Sequence, residues 1–289
     1  MKRFRSLGWK AVKTVLVLLV LFFFLFPIYW LVITAFKPVP DWFGWPPVII
    51  PRALTLDNFL GLKGTGSGGF TGQVTGSVAN IWPYLRNSVI VATTSALLSM
   101  FIGAMAAYAI SRFKVGGVQF TNWIISIRML PPIASALPLY LIFSRLQLLN
   151  TLFVLILAHL VFTLPLSTWI LITFFNDIPK ELDEAAFVDG ASPLQAFVSV
   201  ILPLSAPGLA AVSTLAFIQS WGEFLLALIL TSNPNAQTLP IFLGRYITAY
   251  RIAWGPMAAA GLINMVPVVV FSLIMQRYLI RGLTFGAVK

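Results

Sequence analysis

The chain has 289 residues, of which 59% are hydrophobic and only 9% charged, and its mean hydropathy is +0.92. A soluble domain carries roughly a quarter of its residues as charges, so this composition excludes a soluble globular protein and defines an integral membrane one. The net charge of +11 fits loops that follow the positive-inside rule better than nucleic-acid binding, and a chain without cysteine has neither disulfides nor thiolate metal sites.

Five basic residues (Lys2, Arg3, Arg5, Lys10, Lys13) and no acid precede 23 uncharged residues from Thr14 to Phe36. That run exceeds the ~7–15-residue core of a signal peptide and lacks a small-residue cleavage site, so it predicts a retained first span, 14–36, with a cytoplasmic amino end. An external loop, 37–86, follows. It is marked by Pro38, Pro40, Pro46, Pro47, Pro51, Trp42 and Trp45, then by a glycine-rich tract from Gly61 to Gly76. Gly64-Thr-Gly66-Ser-Gly68-Gly69 fits a GxGxxG pattern, but no strand precedes it and no helix opens from it, which argues against a nucleotide role.

Uncharged or nearly uncharged segments then predict spans at 87–111, 118–143, 152–175, 208–230 and 254–276, making six in all. The reading is an all-α integral membrane protein, 1–289 forming a single transmembrane domain with both termini in the cytoplasm. Eleven basic residues fall on the inside segments and seven on the outside ones, and the density in the first thirteen positions decides the orientation.

Between the fourth and fifth spans lies a polar interruption, 177–203. Five of the eight acidic residues (Asp177, Glu181, Asp183, Glu184, Asp189) occupy thirteen positions there. Leu182, Ala185, Ala186 and Asp189 recur at helical spacing, which puts two alanines on one stripe and permits close approach by another surface. Gly190 stands where a helix end takes positive φ, and Ser192-Pro193-Leu194-Gln195 reads as a capping box with proline at the first helical position. Leu194, Phe197, Val198 and Ile201 form the apolar stripe of this second helix, and Pro203 is expected to stop it. The product is a helical elbow with one apolar side and one acidic side. An amphipathic connector on the membrane surface is one reading. Such helices are usually rich in Lys and Arg, however, and this stretch holds only Lys180, so a protein partner fits better.

Two ionisable residues sit at membrane depth, where a charge is costly. Arg128 precedes Met129-Leu130-Pro131-Pro132, and paired prolines would kink the helix and free carbonyls for its guanidinium. It either serves structure, through those carbonyls or a neighbouring subunit, or lines a translocation path. Glu223, beside Trp221 and Phe224, either faces such a path or bonds between helices. His159, the only histidine, has no second ligand or base near it in sequence. No P-loop occurs in the chain, nor any hydrolase or paired-carboxylate constellation, so a non-catalytic chain is expected, and any ATP-derived energy it uses would have to come from elsewhere.

Several of these stretches carry a resemblance. Glu184-Ala185-Ala186, then Gly190 and Val200-Ile201-Leu202-Pro203, resembles the EAA loop of the membrane subunits of bacterial ABC importers, with Val200 where the family usually has Ile. Trp221-Gly222-Glu223-Phe224 is similar to a Trp-Asn-Glu-Phe signature of carbohydrate-type permeases, Gly222 replacing the asparagine. Thr55-Leu56-Asp57-Asn58-Phe59, Ala107-Tyr108-Ala109-Ile110-Ser111-Arg112-Phe113, Leu149-Asn150-Thr151 and the terminal Gly282-Leu283-Thr284-Phe285-Gly286-Ala287-Val288-Lys289 are similar to segments of the same family. The chain is identified by these residues as a maltose-type carbohydrate permease, most like the second of that importer's two membrane subunits.

The resemblance implies the type I importer permease fold and a bacterial or archaeal plasma-membrane location. The pore would be heterodimeric, shared with a related permease and served by two ATPase subunits and an external substrate-binding protein. The cargo would be a di- or oligosaccharide, although polyols and glycerol phosphates travel through similar permeases. It further implies that Glu184, Ala185, Ala186, Asp189, Gly190, Leu202 and Pro203 couple to an ATPase, that Gly286, Ala287, Val288 and Lys289 reach it, and that Arg128, Trp221 and Glu223 are candidates for the path. This chain would bind no cofactor or metal, with ATP and Mg held by the partners. The rival reading is a membrane scaffold or passive channel whose acidic elbow recruits a cytosolic protein.

Overall fold

The structure is a computed structural model that describes residues 2–63, 80–248 and 252–286, with the backbone alone at 2–8, 11, 63 and 279–286. The GxGxxG segment and residues Ala287, Val288 and Lys289 therefore lie outside the described residues.

Helices dominate. The first part of the chain forms α1 (Lys2–Phe36), α2 (Val39–Trp42) and α3 (Asp57–Leu60). Then come α4 (Trp82–Phe113), α5 (Gly117–Ile127), α6 (Pro132–Arg145) and α7 (Leu152–Asn176). The elbow comprises α8 (Glu181–Val188), α9 (Pro193–Ala196), one π turn (Phe197–Ile201) and α10 (Leu202–Leu204). The rest is α11 (Ala206–Trp221), α12 (Leu225–Leu230), α13 (Leu239–Gly244) and α14 (Trp254–Gly286). Among the described residues four helices are long and apolar enough to cross a membrane, and two bent pairs raise the number to six if each pair is one span.

Those bends fall where the backbone chemistry demands them. α5 and α6 meet at 92°, and the corner holds Pro131 and Pro132. Neither proline donates to a helical ladder, and Pro131 drives the residue before it out of helical geometry. Pro132 then sits at the first position of α6, where a missing N–H costs nothing. The fifth expected span, 208–230, corresponds to α11 and α12, separated at Gly222–Phe224.

By contact the chain divides into two compact units, residues 1–81 with 243–264 and residues 82–242 with 265–289. In the first, Asn58 Nδ2 donates to the carbonyls of Ala35 and Lys37 at 2.9 and 3.0 Å, which ties α3 to the end of α1. The Phe59 and Phe36 rings meet at 5.0 Å, and Gly255 leaves no room for a side chain against Trp42 and Asn58. Lys37 is buried with its ammonium 4.0 Å from the Trp30 ring. Burial holds its pKa below the ordinary lysine value, with Asp41 pulling the other way.

The second unit is built on α4, α7 and α11. α4 presents small buried residues (Ala92, Ala96, Gly103, Ala104, Ala107), which let a neighbouring backbone approach. A Cβ at Gly103 would stand 3.0 Å from Ser167 Cβ and 3.2 Å from Thr168 N, so α4 and α7 meet there almost backbone to backbone. One turn away, Ser99 Oγ and Thr163 Oγ1 share a hydrogen bond of 2.5 Å. Thr151 caps α7 by accepting from Val154 N at 3.2 Å. Its neighbour Asn150 accepts from Ser232 N, while Asn87 Nδ2 lies within 3.1 Å of the carbonyls of Pro234, Asn235 and Gln237.

Gly103→Leu is therefore expected to wedge α4 from α7 and destabilise the unit by about 1–3 kcal/mol, as overpacking does. Thermal unfolding in detergent should show a lowered midpoint for the variant; an unchanged midpoint would mean that the two helices do not meet at Gly103.

Candidate functional site

The elbow is rigid for local reasons. α8 ends in a Schellman arrangement: Ala191 N donates to Ala186 O at 2.9 Å and Gly190 N to Phe187 O at 3.0 Å, with Gly190 at φ +87°. Nothing lies within 4 Å of a Cβ built on Gly190, so backbone conformation alone calls for glycine there. The capping box at the start of α9 is complete. Gln195 N donates to Ser192 Oγ at 3.3 Å and Ser192 N to Gln195 Oε1 at 2.7 Å.

Two expectations about the elbow need correction. Pro203 does not stop the second helix: the π turn loosens the ladder ahead of it, α10 runs through Leu204, and the chain turns by 80° at Ser205. Of the apolar stripe, Phe197 and Ile201 are buried, whereas Leu194 and Val198 are exposed.

The inward side of α8 lies off the stripe of Leu182, Ala185, Ala186 and Asp189. Its buried residue is Asp183, while Leu182 is exposed. Asp183 forms an ion pair with Arg112 at 2.5 Å, both side chains being about 95% buried, and accepts from Tyr108 Oη at 3.2 Å. Arg112 also donates to Ile178 O at 3.0 Å, just ahead of α8. The Tyr108 ring packs on Phe197 at 4.9 Å. A pattern of apolar residues could not reveal this clamp; the signal available was an arginine ending a span and an unmatched acid in the elbow.

The face turned outward holds the residues expected to couple. Glu184, Ala185, Asp189, Gly190 and Pro203 are exposed, and Ala186 and Leu202 are half-buried. Around them Phe187, Val188, Leu194 and Val198 form an exposed apolar fringe, Val188 being 87% exposed. Of the carboxyl-terminal residues, Gly286 closes α14, and the other three lie outside the described residues.

The second candidate region is a cavity of about 50 Å³ lined by His159, Thr163, Gln219, Ser220 and Glu223 together with Pro132, Phe162 and Leu226. Glu223 ends the break between α11 and α12. Its carboxylate accepts from Leu226 N at 2.8 Å and Ala227 N at 3.1 Å, capping α12. His159 stands with Nδ1 2.6 Å from Ser220 Oγ and Nε2 3.5 Å from Glu223 Oε2. Arg128 is exposed and donates to Phe162 O at 3.0 Å and Gln219 Oε1 at 3.1 Å. The carbonyls it satisfies are thus not those beside Pro131 and Pro132 but one on α7. Trp221 is buried and stacked on Phe217 at 5.6 Å, turned away from the cavity.

His159 thus touches both Ser220 and Glu223, a relation invisible in the sequence, where they stand 61 and 64 positions away from it. Ser220 is 5% exposed and stands on the wall of this cavity. No group of three or more His, Cys, Asp or Glu able to hold a metal occurs among the described residues.

Long apolar helices, a pair bent at Pro131 and Pro132 and an elbow that meets α11 at 80° define a multi-pass helical membrane protein of the type I importer permease fold. The chain belongs to the family of binding-protein-dependent transport system inner membrane components, whose model matches residues 99–285. It is 34% identical over 267 residues to the trehalose/maltose transport system permease protein MalG of Thermococcus litoralis, covering 92% of this chain and 91% of that one. It is 36% identical over 291 residues to the trehalose transport system permease protein SugB of Mycobacterium tuberculosis, covering 99% and 98%. Among solved structures, a bacterial ABC transporter involved in the import of the acidic polysaccharide alginate has a chain that superposes with a TM-score of 0.76. That match spans 95% of this chain and 97% of that one at 19% identity, and it bears on the fold alone.

Glu223→Gln removes one accepting oxygen from the cap of α12, a loss of about 1 kcal/mol for one hydrogen bond. Amide hydrogen exchange at Leu226 and Ala227 is expected to quicken by roughly five-fold, in line with that energy. Unchanged protection would show that the carboxylate does not cap the helix.

Proposed function

We propose that the chain is the permease subunit of an ATP-driven sugar importer, forming half of a pore whose other half is a related permease. The observation that carries this is the outward face of the elbow: an acid, two alanines and a Schellman glycine, set on a rigid capping box and anchored inward by Asp183. Such a face is small and stiff enough to seat in a cleft of another protein and to be pushed by it. Its acidity argues against the inner leaflet as the partner.

Two ATPase subunits supply the energy, with ATP and Mg bound there and no cofactor in this chain. A substrate-binding protein delivers cargo from the other side. The elbow and both termini face the cytoplasm of a bacterial or archaeal plasma membrane, and the tail Gly286–Lys289 adds a second contact with the ATPases. Closure of the ATPases moves the elbow as a body and switches the pore between inward- and outward-facing states. Relatives named for trehalose, maltose and diacetylchitobiose support a di- or oligosaccharide as cargo. Arg128, Glu223 and the polar cavity beside them are the candidate path-lining groups; Trp221, stacked inward, supports that region rather than touching cargo.

Gly190→Pro cannot adopt φ +87° and loses the Gly190 N to Phe187 O bond, and Glu184→Lys reverses the charge of the docking face. Either variant is expected to cut uptake by about ten-fold or more, the scale of a coupling energy, while its level in the membrane stays normal. The decisive assay reconstitutes the assembly in nanodiscs. ATP hydrolysis should rise with sugar-loaded binding protein, and Gly190→Pro should abolish the rise. If the chain purifies without any ATPase, the scaffold or passive-channel reading replaces this one.

A further inference from the structure

The exposed face of the elbow accounts for docking but not for how a push there reaches the pore. Three side chains bridge that gap. Asp183 is the acid of α8 that points inward, 3% exposed, while Glu181 and Glu184 on the same helix are exposed. Arg112, at the end of α4, holds both the start of the elbow, through Ile178 O, and α8, through Asp183. Tyr108, one turn earlier on α4, holds both helices of the elbow at once, its hydroxyl on Asp183 and its ring on Phe197.

We propose that Asp183, Arg112 and Tyr108 form the positioning clamp that makes the elbow and α4 move as one body, so that work done on the exposed face is delivered to the membrane core. This inference rests on the importer reading. A buried ion pair contributes little net stability against an apolar pair of the same shape, so stability alone gives no reason for charges here. What a charge pair supplies is a specific linkage between two elements that apolar packing would let slide. Arg112 Nε and Asp183 Oδ2 are close without an aligned hydrogen bond, so the contact is a charge contact and not a fixed fork. It can swivel as the elbow turns and still hold.

The receiving end lies further along α4. Ser99, nine residues before Tyr108 and about 13 Å back along the axis of α4, bonds Thr163 on α7, and Thr163 in turn bonds the His159 carbonyl. A shift of α4 pulled by the clamp therefore arrives at the wall of the polar cavity.

The test uses the full complex with its ATPases and binding protein, comparing wild type with Asp183→Asn, the exchange Arg112→Asp with Asp183→Arg, and Tyr108→Phe. Co-purified ATPase, basal ATP hydrolysis and sugar taken up per ATP are read for each. Asp183→Asn is expected to keep the ATPase and its basal hydrolysis but lower uptake per ATP by about ten-fold, within the usual range of coupling between sites. The charge exchange should restore much of that loss. Tyr108→Phe, which leaves the ion pair and deletes one hydroxyl, should show a smaller loss and serves if Asp183→Asn fails to accumulate. Unchanged uptake per ATP in Asp183→Asn or Tyr108→Phe overturns the clamp. So does a parallel loss of ATPase binding and uptake that the exchange does not repair, since that is a structural defect. Failure of the wild-type chain to bind any ATPase sinks the importer reading itself, a result distinguishable from either.

Discussion

In a bilayer core, an unpaired backbone N–H or C=O costs several kcal/mol because no water is there to replace its partner. A chain of straight helices meets this constraint automatically, but this chain breaks its helices repeatedly at depth. Several of the breaks have a polar side chain that closes them. Glu223 closes the start of α12, Thr151 that of α7 and Ser192 that of α9, while Asn87 gathers the carbonyls of the segment after Thr231.

Charge is handled under the same constraint. Asp183 enters the interior with Arg112, and Arg128 is spent on Phe162 O and Gln219. Both arginines tie elements distant in sequence, the buried one through an ion pair and a carbonyl and the exposed one through a carbonyl and an amide. The elbow combines the two solutions: its outward acids stay in water, and its one inward acid is matched.

The long apolar runs made the spans legible, and the Ser-Pro-Leu-Gln capping box and Gly190 made the elbow legible down to individual hydrogen bonds. Those signals are local: a proline, a cap and a positive-φ glycine act within a few residues. What stayed hidden was pairing across sequence. Tyr108 and Asp183 are 75 positions apart and His159 and Ser220 61 apart, and neither pair alters the periodicity around it. The stop assigned to Pro203 missed for a related reason, since a proline ends an α-helical ladder but a π turn ahead of it absorbs the fault. The inward turn of Asp183 was hidden in the same way, because an arginine from another helix, not the apolar pattern, meets that face.

Gly190 carries one further consequence. Its Cβ position is empty space, yet its backbone stands in the mirror-image half of conformational space. The demand at this corner is for handedness and not for smallness. A right-handed amino acid of either modest or large size, placed there by chemical synthesis, would satisfy it, whereas the smallest chiral natural residue would not. The turn is thus a stereochemical filter written into one atom's absence, and it leaves the surface above it free for whatever must lie there.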